Sequence, residues 1–229
     1  MITSARKFTL VFTMLAIALV WVAPSAFADS IVLNLNTSTA FGPGNYGTVT
    51  LTTNAGKIDV SISMLNGARI IDTGGHSAVA WNEAIAGNPS ITISNLSSGL
   101  YALLNGGVAG SVDMDGVGAY EFGLSGPGPS DVTAVSSLSF TISRVSGSFG
   151  SVNDLLENST HPPGNIDSLF AVDILQTQNC SGACTGVVGV VQNPPSVPEP
   201  TSLLLLGSGL FGLALMRKRL VVATKSSVS

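Results

Sequence analysis

Basic residues are scarce in the middle of this 229-residue chain. Between Asp29 and Ser196 there are three, Lys57, Arg69 and Arg144, against twelve carboxylates, a net charge of −9. A body so poor in cations has no electrostatic grip on nucleic acid or on an anionic membrane surface, and nucleic acid is not an expected partner. Histidine occurs twice. His76 lies in a turn, Asp72-Thr73-Gly74-Gly75-His76-Ser77, and His161 precedes Pro162-Pro163. Both read as solvated loop residues. H-E-x-x-H is missing, which removes a common zinc protease class, and so is the G-x-S-x-G elbow of many serine hydrolases. Aromatics make up 6% of the chain, leaving little area for stacking sugars. Cysteine also occurs only twice, as Cys180 and Cys184. Three residues separate them, whereas a C-x-x-C redox pair needs two and structural zinc needs about four ligands. No catalytic residue, metal or cofactor is assigned.

Glycine is plentiful instead. It supplies 23 residues of the body, about twice its usual share, which favours turns and short strands over long helices. Gly42-Pro43-Gly44-Asn45-Tyr46-Gly47 fits G-x-G-x-x-G literally. A dinucleotide site needs a helix to start there, because the helix N-terminus holds the pyrophosphate, and a Thr/Val strand follows instead. Asp113-Met114-Asp115-Gly116 hints at an oxygen-rich Ca²⁺ site but fails the EF-hand pattern.

Long apolar runs are confined to the two ends. Arg6 and Lys7 precede an uncharged stretch at 10–23, and Ala26-Phe27-Ala28 matches a small-x-small cleavage site. Residues 1–28 are therefore expected to be a signal peptide and Asp29 the mature start. At the other end, a Pro-rich linker at 193–200 contains Val197, Pro198, Glu199 and Pro200. An apolar run to Met216 follows, closed by Arg217, Lys218 and Arg219. Sixteen residues from Thr201 span about 24 Å as a helix, a little short of a ~30 Å hydrocarbon core. Residues 201–219 are expected to form a transmembrane helix with a basic stop, and 220–229 a cytoplasmic tail. The positive-inside rule then keeps the Arg cluster in the cytoplasm and Glu199 outside.

Val197-Pro198-Glu199-Pro200, the short Gly-bearing apolar helix and the Arg-rich end resemble the PEP-CTERM sorting signal of exported bacterial proteins. The resemblance spans roughly 197–219. One departure is that ten residues follow Arg219. The resemblance implies an exosortase-type membrane protease as processing partner, an inner-membrane precursor, and association with exopolysaccharide and biofilm. Export also places Cys180 and Cys184 in an oxidising compartment, where a local disulfide is expected.

The body, 29–192, has period-two patterning. Residues 47–52 and 58–64 alternate apolar with Thr, Ser and Asp, and Asn54-Ala55-Gly56 between them reads as a hairpin loop. Further strands are expected at 31–35, 77–81, 91–95, 108–114, 119–124, 138–144, 169–175 and 186–191. One short helix is expected over 152–158, with Ser151 and Asp154 forming a capping box. Many short strands predict an all-β ectodomain of β-sandwich or jelly-roll type. Residues 44–51, 58–62 and 72–75 are similar to ectodomains that PEP-CTERM proteins often carry, a likeness that assigns no catalytic residue. The expected function is that of a non-catalytic surface or extracellular-matrix protein. Two alternatives stay open: a secreted polysaccharide hydrolase using two carboxylates, and a Ca²⁺-dependent binding module.

Overall fold

A computed structural model describes residues 29–73, 77–85, 90–128, 133–160, 166–176 and 184–191. Among these, fourteen strands occur: β1 (Ser30–Leu35), β2 (Thr37–Ser38), β3 (Gly47–Asn54), β4 (Lys57–Met64), β5 (Arg69–Ile70), β6 (Val79–Trp81), β7 (Ile91–Ser94), β8 (Ala102–Leu103), β9 (Val112–Met114), β10 (Gly118–Tyr120), β11 (Phe122–Ser125), β12 (Ser137–Arg144), β13 (Phe170–Gln176) and β14 (Cys184–Gly189). All pairings are antiparallel. The described residues are all-β, with one 3₁₀ turn at Val152–Leu155 and a turn at Leu104–Gly107 in which Asn105 and Gly106 are left-handed (φ 50° and 61°). No helix among the described residues is long and apolar enough to cross a membrane.

A five-stranded sheet runs β1-β3-β4-β12-β7. Its strands alternate as their sequences do: β4 buries Ile58, Val60, Ile62 and Met64 and leaves Asp59, Ser61 and Ser63 more open. The hairpin between β3 and β4 closes at Asn54↔Lys57, so its loop is two residues, Ala55 and Gly56, both at positive φ (50° and 77°). Such a loop has the twist of the strands it joins.

The second sheet runs β2-β14-β13-β6-β11-β8, with β5 also on β13. The two sheets bury their facing sides in one apolar cluster. Trp81 of β6 is fully buried at its centre, its ring 5.5 Å from that of Phe140 on the opposite sheet and 6.2 and 6.3 Å from Phe122 and Phe170.

This second sheet is covered on its other side as well. The β9–β10 hairpin packs Val112, Met114, Val117 and Tyr120 over Ala80, Ala171 and Val187. Registers place Gly123, Ala80, Ala171 and Gly189 in one row across β11, β6, β13 and β14. Gly123, Ala80 and Ala171 leave the space in which the hairpin lies, and Gly189 leaves room for Ser168. A Cβ on Gly123 would stand 2.9 Å from Val112 Cγ1. Gly107 makes the tightest approach among the described glycines: at φ +80° its Cβ would fall 1.9 Å from the carbonyl oxygen of Ile91.

Three expectations need correction. The predicted helix over 152–158 is a 3₁₀ turn at Val152–Leu155; the capping box forms, but Leu156 leaves helical geometry. The single strand expected at 119–124 is two, interrupted at Glu121 where the chain passes from the covering hairpin into the main sheet. The strand expected from 108 starts at Val112, because Leu104–Gly107 forms a turn and residues 108–111 follow without a ladder.

Candidate functional site

A cleft of about 350 Å³ opens where β10 hands over to β11, lined by Asn82, Gly110, Ser111, Tyr120, Glu121, Glu157, Asn158 and Thr160 among others. Its walls are held by side-chain amides. Asn82 Oδ1 accepts from the Glu121 N–H (2.7 Å) and its Nδ2 donates to the Asn158 carbonyl (2.8 Å). One oxygen of Glu121 accepts from the Glu83 N–H at 3.3 Å. Glu157 is exposed at the rim. Two carboxylates therefore share this cleft, one of them tied to backbone.

Behind the cleft lies a buried ion pair. Arg144 Nη2 stands 3.2 Å from Glu83 Oε2, and the Glu83 side chain is sealed from solvent. The guanidinium also sits over the Phe149 ring, 5.6 Å from its centroid. Glu83 follows β6 of one sheet and Arg144 ends β12 of the other, so the pair ties the two sheets together. Burial pushes the Glu83 carboxyl up to about 7; Arg144 opposes the rise, while the charges of Glu121 and Asp154 add to it. Asp154 itself accepts from Gly150 N–H (2.6 Å) and Ser151 N–H (3.4 Å), and its carbonyl accepts from Ala84 N–H (2.8 Å). The sequence reading missed the Glu83–Arg144 pair. Its available signal was a lone Glu two residues after an apolar strand in a chain whose body holds three cations.

A second buried carboxylate, Asp173 on β13, accepts from the backbone N–H of Thr73 (2.7 Å) and from its hydroxyl. It anchors Thr73, which follows β5 by three residues. Asp72 beside it accepts from Gly126 N–H at 2.7 Å.

The residues singled out from the sequence are not gathered at either place. Asp113 points outward from β9, between buried Val112 and Met114, and Asp115 lies exposed in the hairpin turn. Among the described residues no group of three or more His, Cys, Asp or Glu could hold a metal ion. Cys184 opens β14 opposite Gln176 and is disulfide-bonded; its expected partner, Cys180, lies outside the described residues. Also outside them are His76, His161, Val197, Pro198, Glu199, Pro200, Arg217, Lys218 and Arg219.

The class defined so far is an all-β body whose most specific motif is the segment following it. Residues 196–219 match the PEP-CTERM protein-sorting motif. That match supports an exported protein handled by an exosortase. No curated protein and no solved structure matches the chain.

Proposed function

We propose that this chain is a non-catalytic structural or adhesive component of an exopolysaccharide-bearing surface layer or extracellular matrix. Its body, a β-sandwich, is exported behind a cleaved signal peptide at 1–28. It is held in the inner membrane by 201–219 and released to the cell surface by exosortase processing near Glu199. The observation that carries this reading is the sorting-motif match at 196–219. The non-catalytic part is supported by the cleft: Glu121 is bound to backbone, and the neighbouring carboxyl with a raised pKa, Glu83, is sealed behind it.

The test is mass spectrometry of the chain recovered from surface and medium. A mature start at Asp29 and a C-terminus near Glu199 are expected. Glu199→Ala, or neutral replacements of Arg217, Lys218 and Arg219, should leave unprocessed precursor in the membrane. Unchanged mature ends in these variants would overturn the sorting role. A polysaccharide hydrolase remains the second reading because Glu121 and Glu157 line one cleft. Release of reducing ends from polysaccharide, lost in Glu157→Gln, would establish it in place of the first.

A further inference from the structure

The outward face of the five-stranded sheet is a lattice of hydroxyl groups. Registers set three rows across the strands: Asn34, Thr48, Ser63, Ser137; then Val32, Thr50, Ser61, Ser139; then Ser30, Thr52, Asp59, Thr141, Ser94. Ten of these thirteen positions are Ser or Thr. Neighbours lie about 4.8 Å apart across the strands and about 6.8 Å apart along them.

The hydroxyls divide into two groups. At one end they are engaged: Thr141 donates to Asp59 Oδ1 (2.6 Å), Asn54 donates to Asp59 Oδ2 (3.0 Å), and Ser30 and Thr52 bond each other (3.0 Å). In the middle, the hydroxyls of Thr48, Thr50, Ser61, Ser63 and Ser137 make no hydrogen bond to other described residues. A groove of about 320 Å³ runs over this face, lined by Thr50, Thr52, Asp59, Ser61, Ser139 and Thr141 and walled by Asn95. Asn95, at φ 54°, donates to Thr141 Oγ1 (3.2 Å), and Ser97 pairs through backbone and hydroxyl with Ser139, so the wall is fixed.

Charge decides the occupant. The body is strongly acidic, yet these rows hold one carboxylate, Asp59, and its two oxygens already accept hydrogen bonds. An anionic polymer would be repelled by the acidic molecule, and the one cation on this face, exposed Lys57, stands a row beyond Asp59 and outside the groove. Hydroxyls both donate and accept, so a repeating uncharged array of them matches a polymer that offers the same.

We propose that this face binds a neutral polysaccharide chain, laid along the groove and hydrogen-bonded to Thr50, Ser61 and Ser139. The proposal rests on the reading of the protein as an exopolysaccharide-associated component and names the surface and the class of glycan. With no aromatic platform on the three rows, each contact is weak, and affinity grows with the number of sugar units engaged.

The experiment is affinity electrophoresis of the exported chain in gels containing hydroxyethyl cellulose, dextran or the anionic polymer alginate. Retardation by at least one neutral glucan and not by alginate is expected. Ser61→Glu and Ser139→Glu, made singly, should weaken it at least tenfold, because the new carboxylate must lose water against an uncharged chain. Val145→Glu, at an exposed site off the three rows, should bind as the parent does. Unchanged thermal melting confirms that each variant is folded. Retardation by alginate alone, by no glucan, or equally in Ser61→Glu and the parent would overturn the proposal. So would a dimer in size-exclusion chromatography that Ser61→Glu dissolves, since the face would then belong to a second copy. Correct mature ends without glucan binding would defeat this proposal and leave the sorted-surface-protein reading standing.

Discussion

On the five-stranded sheet, β4 turns Ile58, Val60 and Ile62 inward and Asp59, Ser61 and Ser63 outward; on the second sheet, β13 buries Phe170, Ala171, Val172, Asp173 and Ile174 without a break. The first sheet has water on one side, so hydrophobic and polar residues must alternate. The second has the main core on one side and the β9–β10 hairpin on the other, so neither side tolerates exposed polarity. One row of its outer positions is small throughout, Gly123, Ala80, Ala171 and Gly189. Covering a sheet with a second layer asks for volume to be removed from its surface. A sheet left wet asks only for groups that hold water.

The sharpest way to break this comparison is to place one charge on the outer face of each sheet. Ala171→Asp would bury an unpaired carboxylate beneath the hairpin and should destabilise by more than about 4 kcal/mol, leaving little folded chain. Ser61→Asp should stay within about 0.5 kcal/mol of the parent. Equal losses in urea denaturation would show that the faces do not differ as described.

The ion pair between the sheets supplies the next effect. The Glu83 carboxyl is held near 7 in the folded chain against an ordinary value of 4.5. A raised carboxyl binds its proton more tightly when folded. Its contribution to stability is therefore complete below about pH 4.5 and is lost as pH rises through about 7, a change of up to about 3 kcal/mol. Glu83→Gln should flatten the stability profile across that window, measured by denaturation at a series of pH values. An equally steep profile in the variant would assign the slope to other groups.

A smaller effect tests the row of small residues. Gly123→Val pushes against Val112 Cγ1 and should cost about 1–3 kcal/mol, with faster amide exchange in β9 and β10 than in β4. Gly99, where an added Cβ would meet no atom within 4 Å, gives the control: Gly99→Val should change stability by no more than about 0.5 kcal/mol. The one stabilising change belongs to the β3–β4 loop. Ala55 holds φ 50°, a conformation Asn tolerates better, so Ala55→Asn should stabilise by about 0.5–1 kcal/mol and raise the melting temperature by a few degrees.

Legibility followed burial. Strands β1, β3, β4 and β12 were readable within a residue or two because each has one wet face, and period two is the direct trace of that condition. The short strands β2, β5 and β8 were not, since two residues hold no period. Their pairing is set by neighbours far along the chain: Ser38 meets Val188, and Ile70 meets Ile174. The Ser151–Asp154 capping box was readable because it is local, whereas its length was not, because Leu156 departs from helical geometry under tertiary packing.

By itself, the sequence determined what local chemistry can carry: the alternating strands, a hairpin at Asn54-Ala55-Gly56, the acidic body, and a C-terminal address whose residues 196–219 match the sorting motif; the structure then narrowed that loop to Ala55 and Gly56. Only the tertiary structure decided which distant residues meet. It aligned three small residues, Gly123, Ala80 and Ala171, under a hairpin, set Glu83 against Arg144 across two sheets, and brought hydroxyls from five strands into three rows. The physical reason is that periodicity records the burial of each strand by itself, while these features depend on register between strands. Register is chosen by the whole core at once.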